Sequence, residues 1–322
     1  MTSRLRVATA AAGAAIVLTA AVGAPALAAA PRAVGCISPV GAGNGFLRSG
    51  NQVQIIRAPA AGAETSPFDV NNSGDVVGGY TTGGQATHGF LFSGGMYRTI
   101  DVRDPATGAV FDTVLRSINE GGEMLGNYED AGGQCRSFRL DSPAAAPTPV
   151  VVLDGTPLPG GGTLTNGTTV AGGLSDNGAI AGTVLDSSGG HGFLLTGDDV
   201  MTFDHPSGPG ATLASAVNNA GQTAGYYPVS AGRASSYVRD DPTFTTVYYP
   251  PPATTVSTVA LGINNNATVV GYYENTARHG FRYSRGAYTA IDITTAQCGT
   301  PVTVTQAHGI NDSDQIVGYC GT

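Results

Sequence analysis

Residues 263–271 read Ile-Asn-Asn-Asn-Ala-Thr-Val-Val-Gly, and residues 279–282 that follow them read His-Gly-Phe-Arg. The first motif consists of an apolar residue, a turn that starts with Asn, an apolar pair and Gly. Asn tolerates left-handed backbone and bonds its own main chain, so this pattern is typical of a tight hairpin between two short strands. We predict one strand on each side of the turn and a third strand at the His-Gly-Phe motif.

The same motifs recur along the whole chain. Copies of the turn motif begin at Val70, Ile118, Leu174, Val217, Ile263 and Ile310, 43 to 56 residues apart. A His-Gly-Phe-type motif follows each of the first five copies, and an additional one at 44–47 precedes them all. A further apolar stretch, clearest at 288–292, comes next. Each unit therefore contains four short strands, which we name a, b, c and d in chain order.

Two properties of the repeat predict the fold: the size of one unit, and the point within a unit at which the chain begins and ends. Four strands in about 45–50 residues is the size of a propeller blade. The chain opens with strands c and d of one unit and closes with strands a and b of another, so two half-units can form one blade. We predict an all-β, six-bladed β-propeller of four-stranded blades with 2+2 closure of the terminal blade, which leaves no unpaired sheet edge. A right-handed β-solenoid is the alternative.

The N-terminal residues predict export. Residues 1–6 carry two Arg, and residues 7–24 form an apolar run without charge. Either Ala-Leu-Ala at 26–28 or Ala-Ala-Ala at 28–30 offers a cleavage site. We interpret 1–30 as a secretory signal peptide, 31–43 as an N-terminal segment and 44–322 as the propeller. A membrane anchor is the alternative for the apolar run. The predicted location is secreted and extracellular.

Composition excludes some partners. The chain has 15 basic residues, all of them Arg, 23 acidic residues and a formal net charge of −8. Phosphate binding needs clustered basic groups, so we expect no nucleic acid and no anionic membrane as partner after signal cleavage. We expect a monomer.

The four cysteines fit an oxidising compartment. Cys320 ends strand b of the last unit, and Cys36 lies ten residues before Phe46, so both flank the b–c loop that is missing between the chain ends. We predict a Cys36–Cys320 disulfide that fastens the ring and contributes about 2–4 kcal/mol. Four cysteines allow three pairings, and Cys298–Cys320 is the main alternative. Lipidation of Cys36 is a further alternative.

The Ile-Asn-x-x-Gly-x-Ile-Val-Gly turn, followed by His-Gly-Phe-Leu, resembles the HAF-repeat family of bacterial extracellular proteins, which is named for a His-Ala-Phe element. The resemblance covers residues 44–320 and implies secretion and a repeat scaffold. It implies no substrate and no catalytic residues. Gly89, Gly192 and Gly280 stand where the family has Ala.

The repeat explains most residues that could carry chemistry. His88, His191 and His279 share one repeat position and are expected to pack at strand starts, so we predict no metal ion and no cofactor. Asp204 has repeat equivalents in other units, which leaves His205 as a lone candidate beside it. Among the turns, only 311–314 has enough carboxylates to justify a test with calcium.

Differences between the loops of the repeat units predict which face of the propeller is functional. In such a blade the b–c and d–a loops emerge on one side, and these loops vary most in length and composition. Repeat proteins bind through the face where insertions collect. The binding candidates on this face are Glu129, Asp130, His205, Tyr249, Glu274 and Arg278. The paired tyrosines at 226–227, 248–249 and 272–273 are assigned mainly to packing between blades.

These observations favour a secreted, non-catalytic β-propeller that acts as an extracellular binding or scaffold module. The expected partner is an extracellular glycan or a cell-envelope component. One alternative is an extracellular polysaccharide-active hydrolase or lyase, with acids on the b–c/d–a loop face. A purely structural cell-envelope protein is another.

Overall fold

The computed structural model describes residues 36, 43–60, 62–82, 86–151, 155–159, 161–165, 167–230, 232–249 and 257–322. The predicted signal peptide at 1–30 lies outside these residues, as do most of the segment 31–43 and the loop 250–256. The described chain consists almost entirely of β-strands and turns.

The strands follow the predicted four-strand repeat. The first pair is β1 (Gly43–Ser49) and β2 (Gln52–Ile56). The first full set is β3 (Ala63–Val70), β4 (Val76–Thr82), β5 (Thr87–Ser93) and β6 (Met96–Ile100). The second set is β7 (Thr113–Ile118), β8 (Met124–Glu129), β9 (Cys135–Leu140) and β10 (Thr148–Val150). The third set is β11 (Thr168–Leu174), β12 (Ile180–Asp186), β13 (Gly189–Thr196) and β14 (Asp199–Phe203).

The second half of the chain continues the pattern. The fourth set is β15 (Leu213–Val217), β16 (Thr223–Ser230), β17 (Arg233–Asp240) and β18 (Thr243–Val247). The fifth set is β19 (Ser257–Ile263), β20 (Val269–Glu274), β21 (Arg278–Ser284) and β22 (Ala287–Ile291). A short helix, α1 (Thr295–Cys298), precedes β23 (Val304–Ile310) and β24 (Gln315–Gly321).

The strands form an all-β propeller arrangement of four-stranded blades. The sets from β3 to β18 pair antiparallel in chain order and form four separate four-stranded sheets. The other eight strands share one continuous sheet, because a single parallel bridge from Arg278 to Val304 connects β21 with β23. The prediction of six separate blades is therefore corrected to four separate blades and one eight-stranded sheet.

The two ends of the chain pair with each other. Strand β1 runs antiparallel to β24, from the pair Gly43 and Gly321 to the pair Ser49 and Gln315. Strand β2 continues from β1, and β23 continues from β24. The predicted union of two half-units is thus confirmed. The inner strands contact one another in the closed series β3, β7, β11, β15, β19, β23 and β3 again, which forms a ring and not an elongated solenoid.

A glycine in strand b faces an aromatic residue of strand c in every unit. These cross-strand pairs are Gly78 with Phe90, Gly126 with Phe138, Gly182 with Phe193, Gly225 with Tyr237, Gly271 with Phe281 and Gly318 with Phe46. The aromatic side chains are fully buried. A Cβ atom at Gly271 would lie 1.9 Å from the carbonyl oxygen of Val259 in strand a. Glycine is therefore required at this position, because the backbone of strand a approaches it closely.

The six turns between strands a and b form a closed circle of hydrogen bonds. In the turn of Asn264, the side-chain amide donates to the carbonyl oxygen of Asn311 in the next turn, at 2.9 Å. The same bond joins Asn71 to Asn119, Asn119 to Ser175, Asn218 to Asn264 and Asn311 to Asn71. The third turn has Ser175 instead of Asn, and there Asn177 donates to the carbonyl of Asn219 at 3.0 Å. The repeated Asn therefore joins neighbouring units.

The disulfides differ from the main prediction. Cys36 is bonded to Cys135 and Cys298 to Cys320, so the Cys36–Cys320 pairing is wrong and the Cys298–Cys320 alternative is confirmed. Helix α1 places Cys298 against the buried end of β24, where Cys320 lies. Cys36 instead lies beside β8, with its Sγ 3.2 Å from the carbonyl oxygen of Tyr128. The ring closes through the β1–β24 ladder, without a disulfide between those two strands.

The hydrophobic core is divided among the units. Buried apolar side chains form six clusters, and each cluster draws on two neighbouring units. One example unites Val77 and Leu91 of the first full set with Leu115 and Phe138 of the second. No described helix has the length and apolar character needed to cross a membrane. The two disulfides are compatible with an extracellular or periplasmic protein.

Candidate functional site

Each inner strand has a β-bulge at the same repeat position, three residues before the first residue of the turn. The bulged residues are Phe68, Arg116, Gly172, Ser215, Leu261 and His308. A bulge redirects the side chain of its extra residue, and all six positions line the central channel. The scaffold therefore places six different residue types around one axis.

Three of these side chains form a cluster. The rings of Phe68 and His308 stack with centroids 5.2 Å apart, and the guanidinium of Arg116 lies 4.5 Å above the Phe68 ring. An Arg116 Nη2 hydrogen donates to the carbonyl oxygen of Cys36 at 3.4 Å. Burial lowers the pKa of Arg116 to about 10, so it remains charged at neutral pH. Arg116 lines both the narrow and the wide part of the channel, together with His308.

Tyrosines of strand b also face the channel, immediately after the motif glycine. Tyr226, Tyr272 and Tyr319 line one side of it. Burial raises the pKa of Tyr226 to about 12 and also raises that of Tyr272, so both hydroxyls stay protonated and can donate hydrogen bonds. The assignment of the tyrosine pairs to packing is correct for Tyr227 and Tyr273, which are buried in the clusters between units. Their neighbours Tyr226 and Tyr272 line the cavity instead, because adjacent strand residues point to opposite faces.

The channel is wide at one end and narrow at the other. At the end of the b–c and d–a loops it holds a cavity of about 470 Å³, within the range of small-molecule sites. At the turn end only about 70 Å³ remains. The described lining of the wide cavity includes Arg116 and Arg278 and no Asp or Glu. The narrow end is lined by acidic residues, which are Asp69, Glu120, Asp176 and Asp312.

Two titratable groups of the channel have strongly shifted pKa values: His308, which lines both parts of it, and Asp69, which lines the narrow end. Burial lowers the pKa of His308 to about 4, so the ring is neutral at pH 7, and its Nδ1 lies 2.7 Å from the carbonyl oxygen of Pro67. Burial raises the pKa of Asp69 to about 6, although its carboxylate accepts hydrogen bonds from Ser117 Oγ and the Ile118 amide at 2.6 and 3.0 Å. Folding therefore favours a neutral histidine and a protonated aspartate.

These shifts predict opposite pH effects. A histidine with a lowered pKa contributes stability above pH 6.5 that is lost as the pH falls towards 4, whereas an aspartate with a raised pKa contributes stability at low pH that is lost as the pH rises through 6. Between pH 7 and pH 5, His308→Gln should lose about 2 kcal/mol less unfolding free energy than the wild type, and Asp69→Asn about 1 kcal/mol more. Urea denaturation at both pH values measures this. Equal losses in all three proteins would contradict the assignment.

One residue of the predicted binding set reaches the cavity. Arg278 lines the cavity, with its guanidinium 5.1 Å from the Tyr272 ring. Glu274 lies beside it, with an Nε to Oε2 distance of 3.4 Å, and both side chains are about two-fifths exposed, at 42% and 40%. The predicted loop face is thus the face of the cavity, and Arg278 and Glu274 belong to its rim.

The other four predicted binding residues lie outside the described lining of the cavity, and each has different neighbours. Glu129 is exposed at the end of β8, and Asp130 pairs with Arg136 at 2.8 Å. The His205 ring is buried and stacks on Tyr227 at 3.7 Å. Tyr249 stacks on Tyr273 at 3.9 Å. These four side chains therefore do not form one site with Arg278.

The repeated histidines are structural in the described chain. His88 Nδ1 lies 3.0 Å from a carboxylate oxygen of Asp101, and the same pairing joins His191 to Asp204 and His279 to Asp292. The paired Asp stands at the end of strand d of the same unit. Asp204 thus binds His191 and not its sequence neighbour His205.

The acidic turn at 311–314 is already occupied by protein contacts. Asp312 oxygens accept from the backbone and side-chain amides of Asn265, both at 2.8 Å, and Asp314 pairs with Arg282 at 2.9 Å. Within the described ranges, no cluster of three or more His, Cys, Asp or Glu side chains could hold a metal ion.

Sequence reasoning missed Arg116, Tyr226 and Tyr272. A readable signal existed for Arg116, because the position three residues before the turn varies widely in size and charge, while the residue before it is Ala in four of the six units. The strand period of two separates Tyr226 from Tyr227 and Tyr272 from Tyr273.

Comparison with known proteins supports the fold and no more than the fold. No protein-family model matches the sequence, and no curated protein matches it. A solved structure described as TolB from Agrobacterium tumefaciens superimposes with a TM-score of 0.57 at 10% identity, covering 87% of this chain and 98% of that one. TolB from Acinetobacter baumannii gives a TM-score of 0.51 at 12% identity, covering 86% and 63%. The chain therefore shares the propeller architecture of these proteins.

Proposed function

We propose that the protein is a secreted, non-catalytic β-propeller that binds a small extracellular molecule, or the end of an extracellular glycan, in the wide cavity of its channel. One observation carries this proposal. Six inner strands share one bulge, yet the bulged residues are Phe68, Arg116, Gly172, Ser215, Leu261 and His308. A ring that served only as a scaffold would need no such variety at its axis, whereas a binding site does.

We also propose that the eight-stranded sheet acts as two blades, so that six blades surround the channel. Support comes from the six inner strands, which contact one another in a closed series, and from the six hydrophobic clusters between units. A single bridge, Arg278 to Val304, joins the two halves of that sheet. A proposal of secretion rests on the signal-like residues 1–30 and on the two disulfides. The HAF-repeat assignment remains part of this proposal.

Binding is proposed in preference to polysaccharide cleavage. Glycosidic cleavage ordinarily uses two carboxyl groups on either side of the bond. The acids predicted on the loop face are Glu129, Asp130 and Glu274, and they lie in separate settings, two of them paired with Arg. The described lining of the wide cavity has no Asp or Glu side chain.

Filling the cavity tests the proposal. Ser215→Phe adds an aromatic ring at a bulged position that lines the channel. Ligands found by a thermal-shift screen of small molecules and glycans should bind this variant at least tenfold more weakly than the wild type, because the ring occupies their space. Thr245→Phe, at an exposed position of the outer strand β18, is the matched control and should bind as the wild type does.

Titration calorimetry on both variants decides the outcome. Equal affinity of every ligand for wild type and Ser215→Phe would place binding outside the channel and overturn the proposal. Product release from any glycan would overturn the non-catalytic part of it.

A further inference from the structure

The wide cavity differs in charge from the molecule around it. The chain carries a formal net charge of −8, but the described lining of the cavity has two Arg and no acidic residue. Acidic side chains gather instead at the narrow end, where Asp69, Glu120 and Asp176 lie. Positive charge held inside a cleft raises the local concentration of anions.

Arg116 provides the inner positive charge. Arg116 lines the cavity, and its guanidinium lies over the Phe68 ring and donates to the carbonyl of Cys36. A guanidinium has five N–H donors and can bind a carboxylate through two of them. Because the site is buried, a charge-assisted bond there is stronger than one at the surface.

Arg278 provides the outer positive charge. It lies at the cavity rim beside the Tyr272 ring and is paired with Glu274 at 3.4 Å. Exposed pairs of this kind contribute little to stability. An incoming anion can therefore take the place of Glu274 at low cost.

The walls between the two arginines suit an organic body. Tyr226 and Tyr272 have hydroxyls that stay protonated and can donate to an anion. Val259 and Leu261 add apolar surface to the same side of the lining. Polar donors at fixed points on a mostly apolar wall are typical of small-molecule sites.

We propose, on the basis of the proposed function, that the cavity binds a small organic carboxylate. Its carboxylate lies between Arg116 and the Tyr226 hydroxyl, and its flat body lies along Tyr272 and Leu261 towards the rim. A uronic acid at the end of an extracellular polysaccharide and a free aromatic carboxylate both have this chemistry.

Matched pairs of probes that differ in charge test the inference. The purified protein is titrated with D-galacturonate and D-galactose, and with 2-naphthoate and 2-naphthamide. In at least one pair the carboxylate should bind ten or more times more tightly than its neutral partner, with an affinity that falls as salt rises. The pair in which the carboxylate binds more tightly shows whether the ligand is a uronic acid or an aromatic carboxylate.

Arginine variants locate the charge. Arg278→Met and Arg116→Met should each weaken carboxylate binding about tenfold or more, and Arg116→Lys should weaken it less than Arg116→Met does. Arg98→Met, on the exposed outer strand β6, removes the same charge away from the channel and should leave binding unchanged. If circular dichroism shows that Arg116→Met does not fold, Arg278→Met and the salt dependence carry the test.

Three results would overturn the inference: no carboxylate probe binds, the neutral partners bind equally well, or Arg278→Met and Arg98→Met behave alike. If ligands from the screen still bind Ser215→Phe more weakly than the wild type, the proposed function stands. Only the proposal that the ligand is a carboxylate is then wrong. If those ligands bind Ser215→Phe and the wild type with equal affinity, the proposed function fails too.

Discussion

Replacing Gly271 with Ala should lower the free energy of unfolding by about 3 kcal/mol or more. The added Cβ would lie 1.9 Å from the carbonyl oxygen of Val259 and 3.0 Å from the Cα of Ala260. Both are backbone atoms of the inner strand, so strand β19 would have to move away from β20. Urea denaturation followed by circular dichroism measures the effect.

Gly132→Ala is the matched control for this change. Gly132 lies in an exposed loop, and the atom nearest to its added Cβ would be a carboxylate oxygen of Asp130, at 3.3 Å. The Asp130 side chain can rotate away from the added Cβ, whereas strand β19 cannot move in this way. Gly132→Ala should therefore change the free energy of unfolding by no more than about 0.5 kcal/mol. Equal stabilities for the two variants would mean that strands a and b do not approach as described.

Replacing Asn264 with Ala should cost about 2–4 kcal/mol. The side chain is buried and makes three hydrogen bonds: its amide donates to the Asn311 carbonyl at 2.9 Å, and its oxygen accepts from the amides of Asn266 and Thr268 at 3.0 and 2.9 Å. Alanine leaves all three backbone groups without this partner. The loss should appear as a lower denaturation midpoint in urea.

Asn266→Ala supplies the comparison within the same turn. The Asn266 side chain is exposed and makes one bond of 3.3 Å to the Asp312 carbonyl. Its removal should change stability by less than about 0.5 kcal/mol. If both asparagine variants are equally stable, the circle of turns does not hold neighbouring units together.

The repeat made the ring predictable from sequence. Its strand-b glycine performs one physical task in every unit, and its turn Asn performs another in five of the six turns. The incomplete units at the two chain ends are complementary. The repeat misled the prediction for Cys36, because the segment before β1 brings Cys36 beside β8 and not beside β24. The Cys298–Cys320 disulfide appeared only as an alternative, because the segment of Cys298 has no repeat equivalent. Whether Val304 bridges to Arg278, and so merges two four-stranded sets, also depends on a local loop path that no periodic pattern encodes.

Part of the candidate site was predictable from the sequence. Loop variation indicated the face on which the wide cavity lies and included Arg278, which lines that cavity. It did not indicate Arg116, because the side chain points to the axis only through a bulge, which depends on the pairing between strands a and b. Tyr226 and Tyr227 looked alike in sequence, although only Tyr226 faces the channel.

A crystal structure of the protein soaked with its tightest-binding carboxylate would show the closed ring and the occupied channel together. We expect β1 to pair with β24, and the ligand to lie in the wide cavity with its carboxylate at Arg116. Ligand density confined to the outer loops, or terminal strands that do not pair, would contradict this expectation.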